Sequence, residues 1–209
     1  MWMGVAVDLT QRGFLMMAVF TLLMLSGYLR PSAGLALRGK DLMPAVPGVT
    51  RTFVVLLAPS DTDLVSKTGT KDDTIMIDSP WLRWMDPIWG VLAGHAGDER
   101  VFSFTYVDDC KQFRETRRRL GVPILVPYAA RHSGPSVDRA LNLRTSEEVR
   151  KRGQWAQHRS MARYEKAGRL AATARSYIAE LAAHLRLCEA HVEGVMVEGK
   201  LDAVKPFVC

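Results

Sequence analysis

The run Phe14 to Leu29, FLMMAVFTLLMLSGYL, carries no charged residue and constrains the fold more than any other stretch. So much apolar surface has to leave water. Crossing a bilayer takes about 20 apolar residues, more than this run supplies. Asp8, Gln11 and Arg12 precede it, and no small-residue cleavage pattern follows. The run is therefore expected to be a buried core helix. The first 29 residues read as a single helix, ended or bent at Gly27.

Downstream, Pro31 suits the first turn of a second helix, and Leu35, Leu37 and Leu42 continue the apolar pattern. From Gly48 to Asp78 the pattern changes to strands. Thr52–Leu57, Asp63–Lys67 and Thr74–Asp78 read as three, the last two joined by the polar turn Thr68–Asp73. Ser79-Pro80 starts another helical stretch, in which Trp81, Trp84 and Trp89 are expected in the core. Further helices are expected over Tyr128–Leu143, after the capping-box signature Thr145-Ser146-Glu147-Glu148 up to about Gly153, and over Ala171–Leu187. The fold class is mainly α (α+β): a helical bundle with a small three-stranded antiparallel sheet near the N-terminus.

The charge is unevenly placed. Lys111 to Arg169 holds 15 Lys+Arg against 5 Asp+Glu, while the rest of the chain has 13 against 17. A solvated basic face and a nucleic-acid surface are both compatible with such a segment. The cysteines Cys110, Cys188 and Cys209 are too few and too scattered for a disulfide scaffold or a zinc site.

Four islands place a basic or phenolic residue beside apolar neighbours: Arg30 after the apolar run, Lys67 before Thr68-Gly69, Arg131-His132 in YAARHSG, and Trp155 nine residues before Tyr164. Taken singly, each has an ordinary structural explanation. In this order and at these spacings they resemble the boxes of the tyrosine recombinases, or phage-type integrases, over about Leu22 to Leu170. Tyr28-Leu29-Arg30-Pro31-Ser32 with Leu37-Arg38 and Asp41 is similar to the first arginine box, and Ser66-Lys67-Thr68-Gly69 to the lysine hairpin. Tyr128-Ala129-Ala130-Arg131-His132 is similar to the second arginine box; Gly153-Gln154-Trp155 and Arg163-Tyr164-Glu165-Lys166 are similar to the last one.

The resemblance implies a site-specific DNA recombinase or integrase that cleaves and rejoins strands through a 3′-phosphotyrosyl intermediate, without metal, ATP or other cofactor. Arg30 and Arg131 would clamp the phosphate with permanently charged donors. Lys67 would protonate the leaving 5′-oxygen, the Trp155 indole N–H would donate to a phosphate oxygen, and Tyr164 would be the nucleophile. Tyr128 stands where the family usually has a histidine that accepts a proton, and Ala33 where it usually has an acid; both weaken the expectation of full activity. His132 reads as structural rather than catalytic. Arg117, Arg118, Arg119, Arg150, Lys151 and Arg152 are the expected contacts to the DNA backbone.

The expected organisation is a catalytic domain over residues 1–170, with the family's N-terminal core-binding domain absent. Residues 171–209 would form a C-terminal helix and tail able to dock on a neighbouring protomer. Expected partners are double-stranded DNA and further copies of the chain (a tetramer in the family), with no membrane and no small-molecule cofactor; the expected location is nucleus or cytoplasm. The alternative function is a truncated, catalytically weak DNA-binding remnant of a mobile-element integrase. A helical interaction protein with accidental motif matches is the third reading.

Overall fold

Gly13 divides what the apolar pattern presents as one helix. In the computed structural model, α1 (Trp2–Gln11) closes with the Gly13 N–H bonded to the Thr10 carbonyl at 2.9 Å and the Phe14 N–H to that of Leu9 at 2.8 Å. Gly13 takes φ 85° between them, which a residue without Cβ adopts at little cost. A new helix, α2 (Leu15–Gly27), then begins. The break lets two apolar segments pack on each other instead of continuing along one axis. The structure describes residues 1–57, 73–94, 97–122, 125–157, 159, 164 and 167–207.

The chain forms two compact units, one of Met1–Pro31 with Phe104–Cys209 and the other of Ser32–Ser103. The first unit contains α1, α2, α5 (Tyr106–Leu120), α6 (Tyr128–Ala140), α7 (Ser146–Arg152), α8 (Ala167–Arg175) and α9 (Ala179–Met196). α2 is its centre. Phe20, Leu22, Leu23 and Met24 are fully buried, each contributing about 1.5–3 kcal/mol relative to exposure. α2 packs on α1 and α6, and α1 packs on α9 and α5. The apolar stripe on the last long helix therefore has a partner in its own chain: Leu181 and Leu185 are buried, and Leu185 lies against Gly4 of α1. Ile178, inside the helix expected over Ala171–Leu187, is 60% exposed and precedes α9.

Asp8 of α1 ties α5 down. It accepts from Arg12 Nε at 2.9 Å, Thr116 Oγ1 at 2.7 Å and Arg119 Nε at 2.7 Å. Three donors around one buried carboxylate satisfy its lone pairs, the condition under which a charge is tolerated inside.

α6 lies close to α2. A Cβ added at Gly134 would overlap the Leu25 carbonyl and press on the Tyr28 ring, so glycine sets this helix separation. Pro135, one residue on, cannot donate to the carbonyl of Arg131 as a mid-helix residue normally would.

The second unit carries a three-stranded antiparallel sheet of order β1 (Leu42–Met43), β2 (Phe53–Leu57), β3 (Asp73–Ile77). Val54 faces Met76 and Leu42 faces Val55. Ile75 and Ile77 point inward while Met76 is 42% exposed, the alternation of a sheet with one covered face. The sequence places strands at 52–57 and 74–78 close to where β2 and β3 occur; its strand 63–67 lies outside the described residues. β1 replaces helical continuation at Leu42, because Asp41 closes a 3₁₀ turn over Gly39–Asp41 by accepting from the Arg38 N–H at 2.9 Å. A 3₁₀ segment, Pro80–Met85, leads into α4 (Asp86–Ala93), with Leu82, Met85 and Trp89 buried.

Candidate active site

Tyr28, the residue after α2, has φ 53° and ψ 31°, a left-handed conformation unusual for a bulky side chain. Three contacts hold it there. Its hydroxyl donates to Asp138 Oδ2 at 2.5 Å, its ring stacks on Trp155 with centroids 6.1 Å apart, and its carbonyl accepts from Arg131 Nη1. Asp138 also accepts from Arg144 Nε at 2.9 Å. Burial and the adjacent Asp138 push the Tyr28 phenol well above its ordinary range, so it remains a donor. The turn presents Arg30 two residues later, partly exposed, immediately before α3 (Pro31–Ala36).

Arg131, one turn into α6, is 4% exposed. Besides Tyr28 it donates through Nη2 to the Gly153 carbonyl at 2.8 Å, and its guanidinium lies 5.1 Å from the Trp155 ring centroid. Burial, and next the neighbouring Arg30, lower its pKa; the phenols of Tyr128 and Tyr164 act in the opposite sense. Two arginines, three tyrosines and a tryptophan thus meet in the first unit.

α7 begins as the sequence indicates. Thr145 Oγ1 accepts from the Glu148 N–H at 3.2 Å, and Glu148 Oε2 accepts from the Thr145 N–H at 2.6 Å. Its end differs from the usual pattern. The positive φ falls on Gln154, at 55°, while Gly153 stays at φ −83°. Gly153 is needed for another reason: a Cβ there would sit inside the Trp155 ring. Arg150 completes the arrangement, donating to the Trp155 carbonyl at 3.0 Å while held in a two-point pair by Glu147 at 2.7 and 2.8 Å.

Tyr164 is 3% exposed and packs with Tyr28 and Val149. Its ring centroid is 4.9 Å from that of Trp155. On its other side, the hydroxyl oxygen lies 2.6 Å from His132 Nδ1, with the two rings inclined by only 17°. Tyr128, 39% exposed, meets His132 edge-on at 5.0 Å between centroids. Burial, with the nearby Cys110, pushes the Tyr106 phenol up to about 12.

Of the expected catalytic residues, Arg30, Tyr128, Arg131, Trp155 and Tyr164 are gathered in this one unit; Lys67 lies outside the described residues. His132, read from the sequence as structural, is the side chain on the nucleophile candidate's oxygen. Its only sequence signal was adjacency to Arg131.

The expected DNA contacts divide sharply. Arg119 is engaged by Asp8, Arg150 by Glu147 and the Trp155 carbonyl, and Arg152 by the Ser26 carbonyl at 2.8 Å with its guanidinium over the Tyr28 ring. Arg118 is exposed in an i,i+3 pair with Glu115, Lys151 has a side chain 72% exposed, and Arg117 is half-buried. Among the described residues no group of three or more His, Cys, Asp or Glu could hold a metal ion, and no helix is long and apolar enough to cross a membrane. No family model, no curated protein and no solved structure matches this chain.

Proposed function

We propose that this protein breaks and rejoins DNA strands by transient covalent linkage to Tyr164, in the manner of a tyrosine recombinase or integrase. The observation carrying this reading is the meeting of Arg131, Trp155 and His132 around Tyr164, with Arg30 beside Arg131, from segments up to about 130 residues apart in sequence. The chemistry they suit is attack of a phenolic oxygen on a phosphodiester, with guanidinium charge offsetting the charge that develops on the non-bridging oxygens. Double-stranded DNA is the proposed substrate, gripped by the exposed cations Arg118 and Lys151 together with Arg117. Further copies of the chain are the proposed partners in strand exchange.

One observation favours the second reading, a DNA-binding remnant with little turnover. Tyr164 and Arg131 are 3% and 4% exposed, and Arg131 already donates to two backbone carbonyls. Strand cleavage then requires this cluster to open around the phosphate.

Detergent-quenched covalent trapping on supercoiled plasmid, wild type beside Tyr164→Phe, separates the two. A protein–DNA adduct that needs Tyr164 is the expected result. Absence of an adduct, with binding retained and falling steeply with salt, would give the lead to the remnant. The slope of log K against log salt should be about −0.9 for each phosphate neutralised. Loss of both adduct and binding would remove the DNA reading altogether.

A further inference from the structure

We infer that His132 is the general base that takes the proton from Tyr164, a role Tyr128 cannot fill. This inference rests on the proposed chemistry of Tyr164 and names the residue that activates it.

Geometry comes first. The Tyr164 Oη and His132 Nδ1 are 2.6 Å apart, within the 2.6–3.2 Å or so over which a base reaches its proton. A neutral imidazole protonated on Nε2 presents an in-plane lone pair at Nδ1. The two rings are near parallel, inclined by 17°.

The imidazole is also held. Its ring meets that of Tyr128 edge-on. Tyr128 is a poor base, because a phenol ordinarily keeps its proton until about pH 10, whereas imidazole is ordinarily free to accept one above about pH 6.5. Tyr128 therefore orients the base, and His132 is the base.

The electrostatics run the same way. Arg131 and Tyr164 interact favourably when the phenol is ionised, and Arg30 adds a second positive charge near Arg131. A nascent phenolate is thus stabilised where it forms.

The step balances without a further reactant. The Tyr164 O–H bond breaks and its proton passes to Nδ1. Oη bonds to phosphorus as the bond from phosphorus to the 5′-oxygen breaks. The leaving oxygen takes a proton from an acid of the site, for which Lys67 is the sequence candidate, or from water. In the reverse direction the imidazolium returns its proton to the departing phenol.

The test compares adduct formation on supercoiled plasmid by wild type, Tyr164→Phe, His132→Ala and His132→Asn across pH 5 to 9, with thermal melts to verify folding. Asparagine keeps a hydrogen-bond acceptor near the Nδ1 position but does not take up a proton, so it separates positioning from proton transfer. His132→Ala and His132→Asn should both slow adduct formation by about 100-fold or more. Added imidazole should restore part of the alanine variant's rate, and the wild-type rise through the histidine range should vanish in both variants. Wild-type rates in His132→Asn would overturn the assignment while leaving Tyr164 as nucleophile.

If wild type gives no Tyr164-dependent adduct, the proposed function itself fails. The protonation of His132 then decides the present inference by ¹⁵N-resolved NMR. A neutral ring with its proton on Nε2, perturbed by Tyr164→Phe, upholds it. A proton held on Nδ1 and donated to the phenol overturns it, because a donor cannot serve as the base.

Discussion

Arg131 and Asp109 are both buried ionisable residues of the first unit, 4% and 0% exposed, and the fold treats them in opposite ways. Arg131 is surrounded by acceptors: the carbonyls of Tyr28 and Gly153, and the face of Trp155. Among the described residues, neither carboxylate oxygen of Asp109 has a hydrogen-bond partner. Side-chain chemistry permits the difference. A guanidinium stays charged at any pH the protein meets, so burying it obliges the chain to surround it with oxygen. A carboxyl can take up a proton instead, and burial accordingly raises Asp109 to about 7. One interior charge is accommodated by architecture and the other by titration.

The comparison breaks most visibly if Arg131 is removed. Arg131→Met keeps much of the side-chain volume but leaves two carbonyls without their donor, so stability should fall by about 3–4 kcal/mol in urea unfolding. An unchanged midpoint would show that the carbonyls find other donors and that Arg131 is no pillar of the site.

Asp109 should behave in the reverse sense. Its folded pKa lies above its unfolded value, so the native state holds a proton that the unfolded chain has released between about pH 4 and 7. Stability contributed by that proton is present below this window, declines through it and is absent above it. Asp109→Asn should therefore be more stable than wild type at pH 8, by an amount on the order of 3 kcal/mol, and should lack the decline. Matching pH–stability curves for the two proteins would place the titration elsewhere.

Gly153→Ala tests the packing beneath Arg131. The added methyl cannot coexist with the Trp155 ring, so the ring must swing away and the variant should lose about 2 kcal/mol. Trp155 emission, obtained by difference against Trp155→Phe, should shift with it. Arg118→Ala is the smallest expected effect: its partner Glu115 is on the same exposed helical face, and the unfolding midpoint should not move measurably. On the proposed function, affinity for DNA should nevertheless fall, with a shallower salt slope.

Local signals survived translation into structure well. The Thr145 box, the strands on either side of residue 65 and the burial of α2 each depend on neighbours within a few positions. Three kinds of feature were illegible. The helix break at Gly13 was passed over because the apolar pattern resumes at Phe14, just beyond the polar Gln11-Arg12. The arginines were counted as surface charge, because nothing near Arg119 or Arg152 in sequence discloses Asp8 or the Ser26 carbonyl, each more than a hundred residues away. Gly134 and Gly153 carry their meaning in what presses against them, and a one-dimensional pattern holds no record of that. For the candidate site, the residue types and their order were visible. The partner of Tyr164 was not, since His132 becomes relevant only once α6 faces the later segment.

The left-handed turn at Tyr28 limits how this chain can drift. Its backbone would prefer glycine or asparagine, its place between Trp155 and Arg152 asks for an aromatic ring, and its bond to Asp138 excludes phenylalanine. These demands conflict for every residue except tyrosine, which itself meets the first only under compulsion. Substitution at this position has no gradual route: each neighbouring amino acid satisfies one requirement by failing another. Arg30, two residues along, inherits that immobility, so its position is preserved by a residue outside the proposed chemistry.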